Sequence, residues 1–275
     1  MSSALRNPMQ RLDSARFAWL FLPLVCASGL LAQTPAKPVG DIEGHPNLNG
    51  IWQAVNEANW NLEPHAAEAS PVVAMGAIGA APAGLGVVTE GKIPYKPEAL
   101  KQREQNYAKR IELDPEVKCY LPGVPRATYM PYPFQIVQSG NFIFIGYEYA
   151  NATRTIYMNN PGEAPVDSWM GQSVGHWEGR TLVVDVTSLN DQTWFDRVGN
   201  FHSDKLHVVE RYTPSGRDVI QYEATIEDPN TFLRPWKISM PLYRRLDKKM
   251  QLLEFKCVEM VEELLYGKYR KKPAN

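Results

Sequence analysis

The chain predicts an all-β fold, an antiparallel barrel or barrel-like sandwich with one peripheral N-terminal helix. Three observations carry that expectation. Residues alternate with period two: Ile220, Tyr222, Ala224 and Ile226 point one way, while Gln221, Glu223, Thr225 and Glu227 point the other. Short apolar runs are joined by turn residues, Ser139-Gly140-Asn141, Glu178-Gly179-Arg180 and Pro214-Ser215-Gly216, in hairpin after hairpin. No strand–helix–strand alternation occurs, which excludes a doubly wound sheet. Consecutive hairpins with one apolar face make antiparallel sheet, and closure protects its edges.

In chain order, Arg6, Arg11 and Arg16 precede an apolar run over 17–31 that Pro23 interrupts. That run is too short for a comfortable membrane span and reads as a signal peptide over 1–32, with cleavage after Ala32; the alternative is an uncleaved anchor. Residues 33–275 are then a single barrel-like domain, whose N-terminal segment 33–118 holds loops and the helix. Residues 48–55 form a first strand. Residues 66–91 are rich in Ala, Gly and Pro, lack any period, and are too apolar for a free linker, so they lie over the body of the protein, across a pocket mouth. Residues 97–111 form the helix, with Pro97 in its first turn, Leu100, Tyr107 and Ile111 near one face, and Asp114-Pro115 ending it. Residues 119–134 are Pro-rich and aromatic, hence rigid and irregular. Strands follow over 134–138, 142–149, 152–158, 175–177, 181–187, 207–213, 219–227, 236–243 and 252–259, the last two flanking a charged turn over 244–249.

The 275 residues carry 29 basic and 30 acidic side chains. Removal of 1–32 takes away three arginines and Asp13, leaving 26 against 29, without the clustered basic surface that nucleic acid requires. The expected location is periplasmic or secreted, with no membrane attachment after signal cleavage. In such an oxidising compartment the two cysteines beyond Cys26, Cys119 and Cys257, are expected to form a disulfide; two buried free thiols are the alternative.

The densest polar stretch is 190–212, NDQTWFDRVGNFHSDKLHVVERY. Loops on rigid scaffolds are where chemistry is usually set. Asp196, His202, His207 and Glu210 are the candidate catalytic residues, because an imidazole held by a carboxylate moves protons near neutral pH. Arg154 and Arg126 are candidates for holding a ligand carboxylate or a developing oxyanion. Trp194 and Tyr157 are candidate aromatic ligand contacts. No metal or organic cofactor is expected. The alternative is zinc or iron on His202, His207 and Glu210, although on a regular strand His207 and Glu210 point to opposite faces. A further alternative makes the stretch a folded corner: Asp191 and Asp196 cap backbone N–H groups, Arg197 and Arg211 pair with Asp204 and Glu210, and each histidine satisfies a carbonyl. Glu148 and Arg154, on either side of the Asn151 turn, are expected to pair with each other.

Four long blocks resemble an uncharacterised family of exported bacterial proteins: CYLPGVPRATYMPYPFQIVQ (119–138), GHWEGRTLVVDVT (175–187), WFDRVGNFHSDKLHVVERY (194–212) and YEATIEDPNTFLRPW (222–236). The resemblance implies export and brings no activity with it. Gly50-Ile51-Trp52 and the string of hairpins are also similar to lipocalin/calycin barrels, which implies a Trp closing one barrel end and a pocket for a small apolar molecule. The extra strands and the long segment before the barrel depart from that pattern.

The expected function is therefore an exported small-molecule-binding barrel. Its partner is a small apolar or aromatic molecule, and its chemistry, if it is an enzyme, is that of an acid/base lyase or isomerase. The competing expectations are a non-catalytic periplasmic ligand carrier and a structural or interaction protein of the cell envelope.

Overall fold

Nine strands close into one barrel: β1 (Gly50–Ala54), β2 (Phe134–Gln138), β3 (Phe142–Tyr147), β4 (Thr153–Tyr157), β5 (Gln172–Glu178), β6 (Thr181–Thr187), β7 (His207–Pro214), β8 (Val219–Glu227) and β9 (Trp236–Arg244). This computed structural model describes residues 40–259 and 261–269. The signal peptide expected over 1–32 and Cys26 lie outside the described residues. Neighbours in sequence are neighbours in the sheet, and β1 closes the ring against β9, Trp52 opposite Arg244 and Ala54 opposite Leu242. Every pair is antiparallel except β4 and β5, where Ile156 lies beside Ser173 and Tyr157 beside Val174. The barrel is thus mixed, because 158–171 crosses from one end to the other before β5 begins.

The period-two alternation sets the inward face. Ile220, Tyr222, Ala224 and Ile226 of β8 have no exposed surface, as do Val208 and Glu210 of β7. Trp236, Ile238, Met240 and Leu242 of β9 join the same core, with Leu182, Val184 and Val186 of β6. The β5–β6 turn needs its glycine: Gly179 has φ +58°, a left-handed conformation that a side chain would strain. Gly175 of β5 is excluded from substitution by space, since a Cβ there would lie 2.6 Å from Ile156 Cγ2. Trp52 is buried where β1 meets β9; its indole N–H donates to Leu48 O at 2.9 Å, and the Arg244 guanidinium lies 4.2 Å from its ring centre.

The two ends of the barrel differ. Tight turns join β2–β3, β5–β6 and β7–β8 at the end where Gly50 begins β1. The long connections 55–133, 188–206 and 228–235 all leave from the other end. There α3 (Arg126–Tyr129) is buried at all four residues. Residues 66–91 do cross the body: Val88 bridges Ile238, and Thr89 N donates to Lys237 O at 2.9 Å.

Two sequence expectations need correction. The helix over 97–111 is broken into α1 (Pro97–Ala108) and α2 (Arg110–Leu113) at Lys109, whose φ of −113° is not helical. It docks through Ala99 and Asn106, the latter donating to Gly199 O at 3.2 Å, while Leu100 is exposed. The strand expected over 252–259 does not form, since β1 already takes the ladder position on β9. That segment instead runs extended past the β3–β4 turn, followed by α4 (Val261–Tyr266). Cys119 and Cys257 are nevertheless bonded to each other, with Cα atoms 5.7 Å apart. Among the described residues no helix is long and apolar enough to cross a membrane.

Candidate functional site

Two arginines that the sequence singled out, Arg154 and Arg126, are both buried, and each anchors a separate polar network. Alternation turns Arg154 of β4 inward, where desolvation demands a counter-charge. Its Nη2 pairs with Glu210 Oε2 of β7, and its Nε donates to Ser173 Oγ of β5 at 2.8 Å. The Tyr212 and Tyr222 hydroxyls donate to Glu210 Oε1 at 3.0 and 2.8 Å. Burial works against the Arg154 charge, yet the adjacent Glu210 carboxylate holds its pKa above the ordinary arginine value. Burial, then the Glu210 charge, pushes both tyrosines up. Thr128 Oγ1, Tyr147 Oη and Arg154 Nη1 are buried beside this pair. The Tyr147 hydroxyl feels both Arg154 and Thr128, but none of the three atoms makes a hydrogen bond of good geometry.

The second network sits at the long-loop end. Arg126 of α3 donates from Nε to Asn59 Oδ1 at 2.8 Å, from Nη1 to Asp114 Oδ1 at 3.1 Å and from Nη2 to Glu116 Oε2 at 2.9 Å. Arg197 grips Glu116 bidentately, at 2.7 and 2.6 Å, and its guanidinium lies 5.3 Å from the Trp60 ring centre. The two carboxyls respond in opposite directions. Burial raises Asp114 above the usual carboxylate range, and Arg126 offsets this only in part. Burial also acts on Glu116, but the Arg197 and Arg126 guanidiniums outweigh it and bring the pKa down to about 2.

This network floors a surface cleft of about 400 Å³. Asp114, Glu116 and Arg197 line it, together with the charged side chains of Glu68, Arg110 and Lys256. Trp60, Tyr132 and Phe255 supply rings, with Phe255 packed 5.4 Å from Tyr132 and 4.9 Å from Tyr149. Residues Glu68, Ala69 and Pro71 put part of 66–91 at its edge, in line with the expected pocket mouth. A concave site of this size, with rings set beside convergent polar groups, is a form that small-molecule pockets take.

The stretch 190–212 does not converge on one site. Asp196 is an anchor: Oδ2 accepts from Leu62 N at 2.9 Å and Asn200 Nδ2 at 2.6 Å, and Oδ1 from Val198 N and Asn200 N, both at 3.2 Å. Burial pushes its pKa up to about 6 against those four donors. His202 is buried and closed on both sides. Its Nδ1 donates to Ser203 O at 2.9 Å, which leaves Nε2 to accept from Thr193 Oγ1 at 2.7 Å. Burial lowers its pKa, so the ring is neutral. His207 lies on the outer face of β7, 3.1 Å from Asp185 and 3.6 Å from Glu227. Glu210, three residues on and so of opposite parity, faces inward. The zinc or iron set of His202, His207 and Glu210 therefore does not form. Among the described residues no group of three His, Cys, Asp or Glu side chains is arranged to hold a metal ion.

Trp194 is buried in its loop, bridging Phe201, and Tyr157 is exposed at the end of β4; neither lines the cleft. The Glu148–Arg154 pair is replaced: Glu148 Oε2 accepts from Leu253 N at 2.8 Å, because Arg154 points into the barrel. Arg197 and Arg211 also find other partners, Glu116 and Glu178. Asp114, Glu116, Trp60 and Phe255 were not among the site residues expected from the sequence, in which Asp114-Pro115 marked only a helix end and Tyr132 was one of several rings in a Pro-rich aromatic segment. The nearest signal was the cysteine pair, which joins Cys119, three residues from Glu116, to the segment bearing Phe255.

No known protein family and no curated protein sequence matches this chain. The fold and the site thus define a class only: a closed nine-stranded β-barrel with an ion pair in its interior and an aromatic–carboxylate cleft at its long-loop end.

Proposed function

We propose that this is an exported small-molecule-binding barrel protein whose ligand occupies the long-loop-end cleft. The apolar or aromatic body of the ligand lies against Trp60, Tyr132 and Phe255, and its polar end meets Asp114. The observation that carries this reading is the meeting of a ring wall and a buried carboxyl pair in one cleft of about 400 Å³. Two neighbouring carboxyls driven in opposite directions form an acid beside a fixed anion, the arrangement that proton-transfer enzymes use. In the acid/base lyase or isomerase reading, Asp114 carries the proton, while Glu116 and Arg126 position it. A carrier reading is favoured by the mutual saturation of Arg126, Asp114 and Glu116, which leaves their donors and acceptors engaged with one another. Export is supported by the Cys119–Cys257 bridge, since disulfides persist in oxidising compartments.

Titration with the fluorescent aromatic anion 1-anilinonaphthalene-8-sulfonate tests the cleft. Saturable binding at one site is expected, weakened about tenfold by Tyr132→Ala or Phe255→Ala, the loss that removal of one ring contact brings. Unchanged affinity in both variants would refute the assignment.

A further inference from the structure

The segment after β9 forms one wall of the cleft without belonging to the barrel. Phe255, Lys256, Cys257 and Val258 line the cleft, yet residues 251–258 form no strand. Among the described residues two hydrogen bonds seat the segment, Leu253 N to Glu148 Oε2 at 2.8 Å and Asn151 Nδ2 to Phe255 O at 3.2 Å, together with the Phe255 ring against Tyr132 and Tyr149. The covalent tie is the bond from Cys257 to Cys119, two residues after Val117, which lines the cleft with Asp114 and Glu116. Cys257 is exposed, whereas Cys119 is partly buried. The barrel closes through β1 and β9 without this segment, so its release leaves the ladder intact.

We infer that Cys119–Cys257 is an exchangeable latch on the cleft, opened by attack of a dithiol at Cys257. An incoming thiolate attacks Sγ of Cys257, the more exposed of the two residues; the S–S bond breaks, a mixed disulfide forms on Cys257, and Cys119 leaves as a thiolate that takes up a proton. The second thiol of the reductant then attacks its own sulfur in the mixed disulfide. Cys257 is released as a thiol, and the dithiol becomes a disulfide. The protein gains two electrons and two protons, which the dithiol loses. With the bond gone, the contacts that hold the wall among the described residues are two hydrogen bonds and one ring cluster, a set typical of low-stability segments. That the latch controls ligand access rests on the cleft reading above; that it frees the wall does not.

Two measurements test the latch. First, native protein is exposed to the monothiol glutathione, quenched with iodoacetamide and mapped by mass spectrometry. Glutathione on Cys257 with alkylated Cys119 is expected, and the reverse assignment overturns the proposed point of attack. Second, limited trypsin digestion compares oxidised protein, protein treated with dithiothreitol, and the C119S/C257S variant. Cleavage after Lys256 is expected to accelerate about tenfold or more on loss of the bond, while cleavage after Lys237 inside β9 stays slow. An unchanged rate at Lys256 overturns the latch, and so does acceleration at both sites, which would mean the whole barrel has opened. Digestion reads the wall with no ligand present. Failure of dye binding in the oxidised protein would therefore remove the cleft reading and leave the latch standing.

Discussion

Arg154 on β4 and Glu210 on β7 form an ion pair in the barrel interior, with side-chain exposures of 1% and 0%. A charge so placed depends on its partner, because the solvation it lost is replaced only by the opposite charge and by Ser173, Tyr212 and Tyr222. Arg154→Met is expected to lower stability by about 3–5 kcal/mol, the usual consequence of leaving one buried charge unpaired. The double variant Arg154→Met/Glu210→Leu should recover most of that loss. Urea unfolding of the two single variants and the double variant measures it; a nearly neutral Arg154→Met would show that the pair is not mutually dependent.

Glu116 makes the stability acid-sensitive. Its folded pKa of about 2 lies below its ordinary value of 4.5, so its contribution is complete above pH 4.5 and is lost as pH falls towards 2. The shift corresponds to about 3 kcal/mol. Glu116→Gln should be less stable than the native protein by roughly that amount at pH 7, and the gap should narrow below pH 4.5 and close only at about pH 2. A gap independent of pH would contradict the charge-based account.

His202 and His207 should separate cleanly. His202 is buried with both ring nitrogens bonded, so His202→Ala should cost about 1–3 kcal/mol. His207 is partly exposed on the outer face, and His207→Ala should stay within about 0.5 kcal/mol. Because burial lowers the His202 pKa, its contribution is present above the unfolded value of 6.5 and falls as the solution is acidified below it. Thermal melts of both variants at pH 7.5 and pH 5 give the comparison.

Gly175 tests the packing of the barrel wall. A Cβ would meet Ile156 Cγ2 at 2.6 Å and Met158 Sδ at 3.0 Å, both in the interior layer. Gly175→Ala should lower stability by about 1–3 kcal/mol through overpacking. The same change at Gly216, whose Cβ would meet nothing within 4 Å, should be far milder. Equal effects at the two positions would argue against a tightly filled wall beside β4.

Strand positions were legible because alternation is local: two residues of β8 lie on the same face whenever they are two apart, whatever surrounds them. The disulfide was legible as well, since the two cysteines beyond Cys26 have one simple pairing. The segment 252–259 shows where that rule stops: it alternates like a strand, but β1 already occupies the edge of β9, and alternation carries no information about a competing partner. The stretch 190–212 concentrated histidines and carboxylates in sequence, and the fold dispersed them: Glu210 inward, His207 outward, and Asp196 and His202 into loop contacts.

The order of residues, through period and turn chemistry, was sufficient for the β class, most strand positions and the covalent link. Which charge meets which across the barrel depended on closure of the sheet, and which rings meet in the cleft depended on where the disulfide and the loop contacts seat the segment after β9. Closure brings Arg154 to Glu210, and the Cys119–Cys257 bond and the contacts with Glu148 and Asn151 bring Phe255 to Tyr132, over separations that no local pattern spans. The physical reason is that burial of a charge selects its partner by position in space, and position in space is set only when the ring of strands is complete.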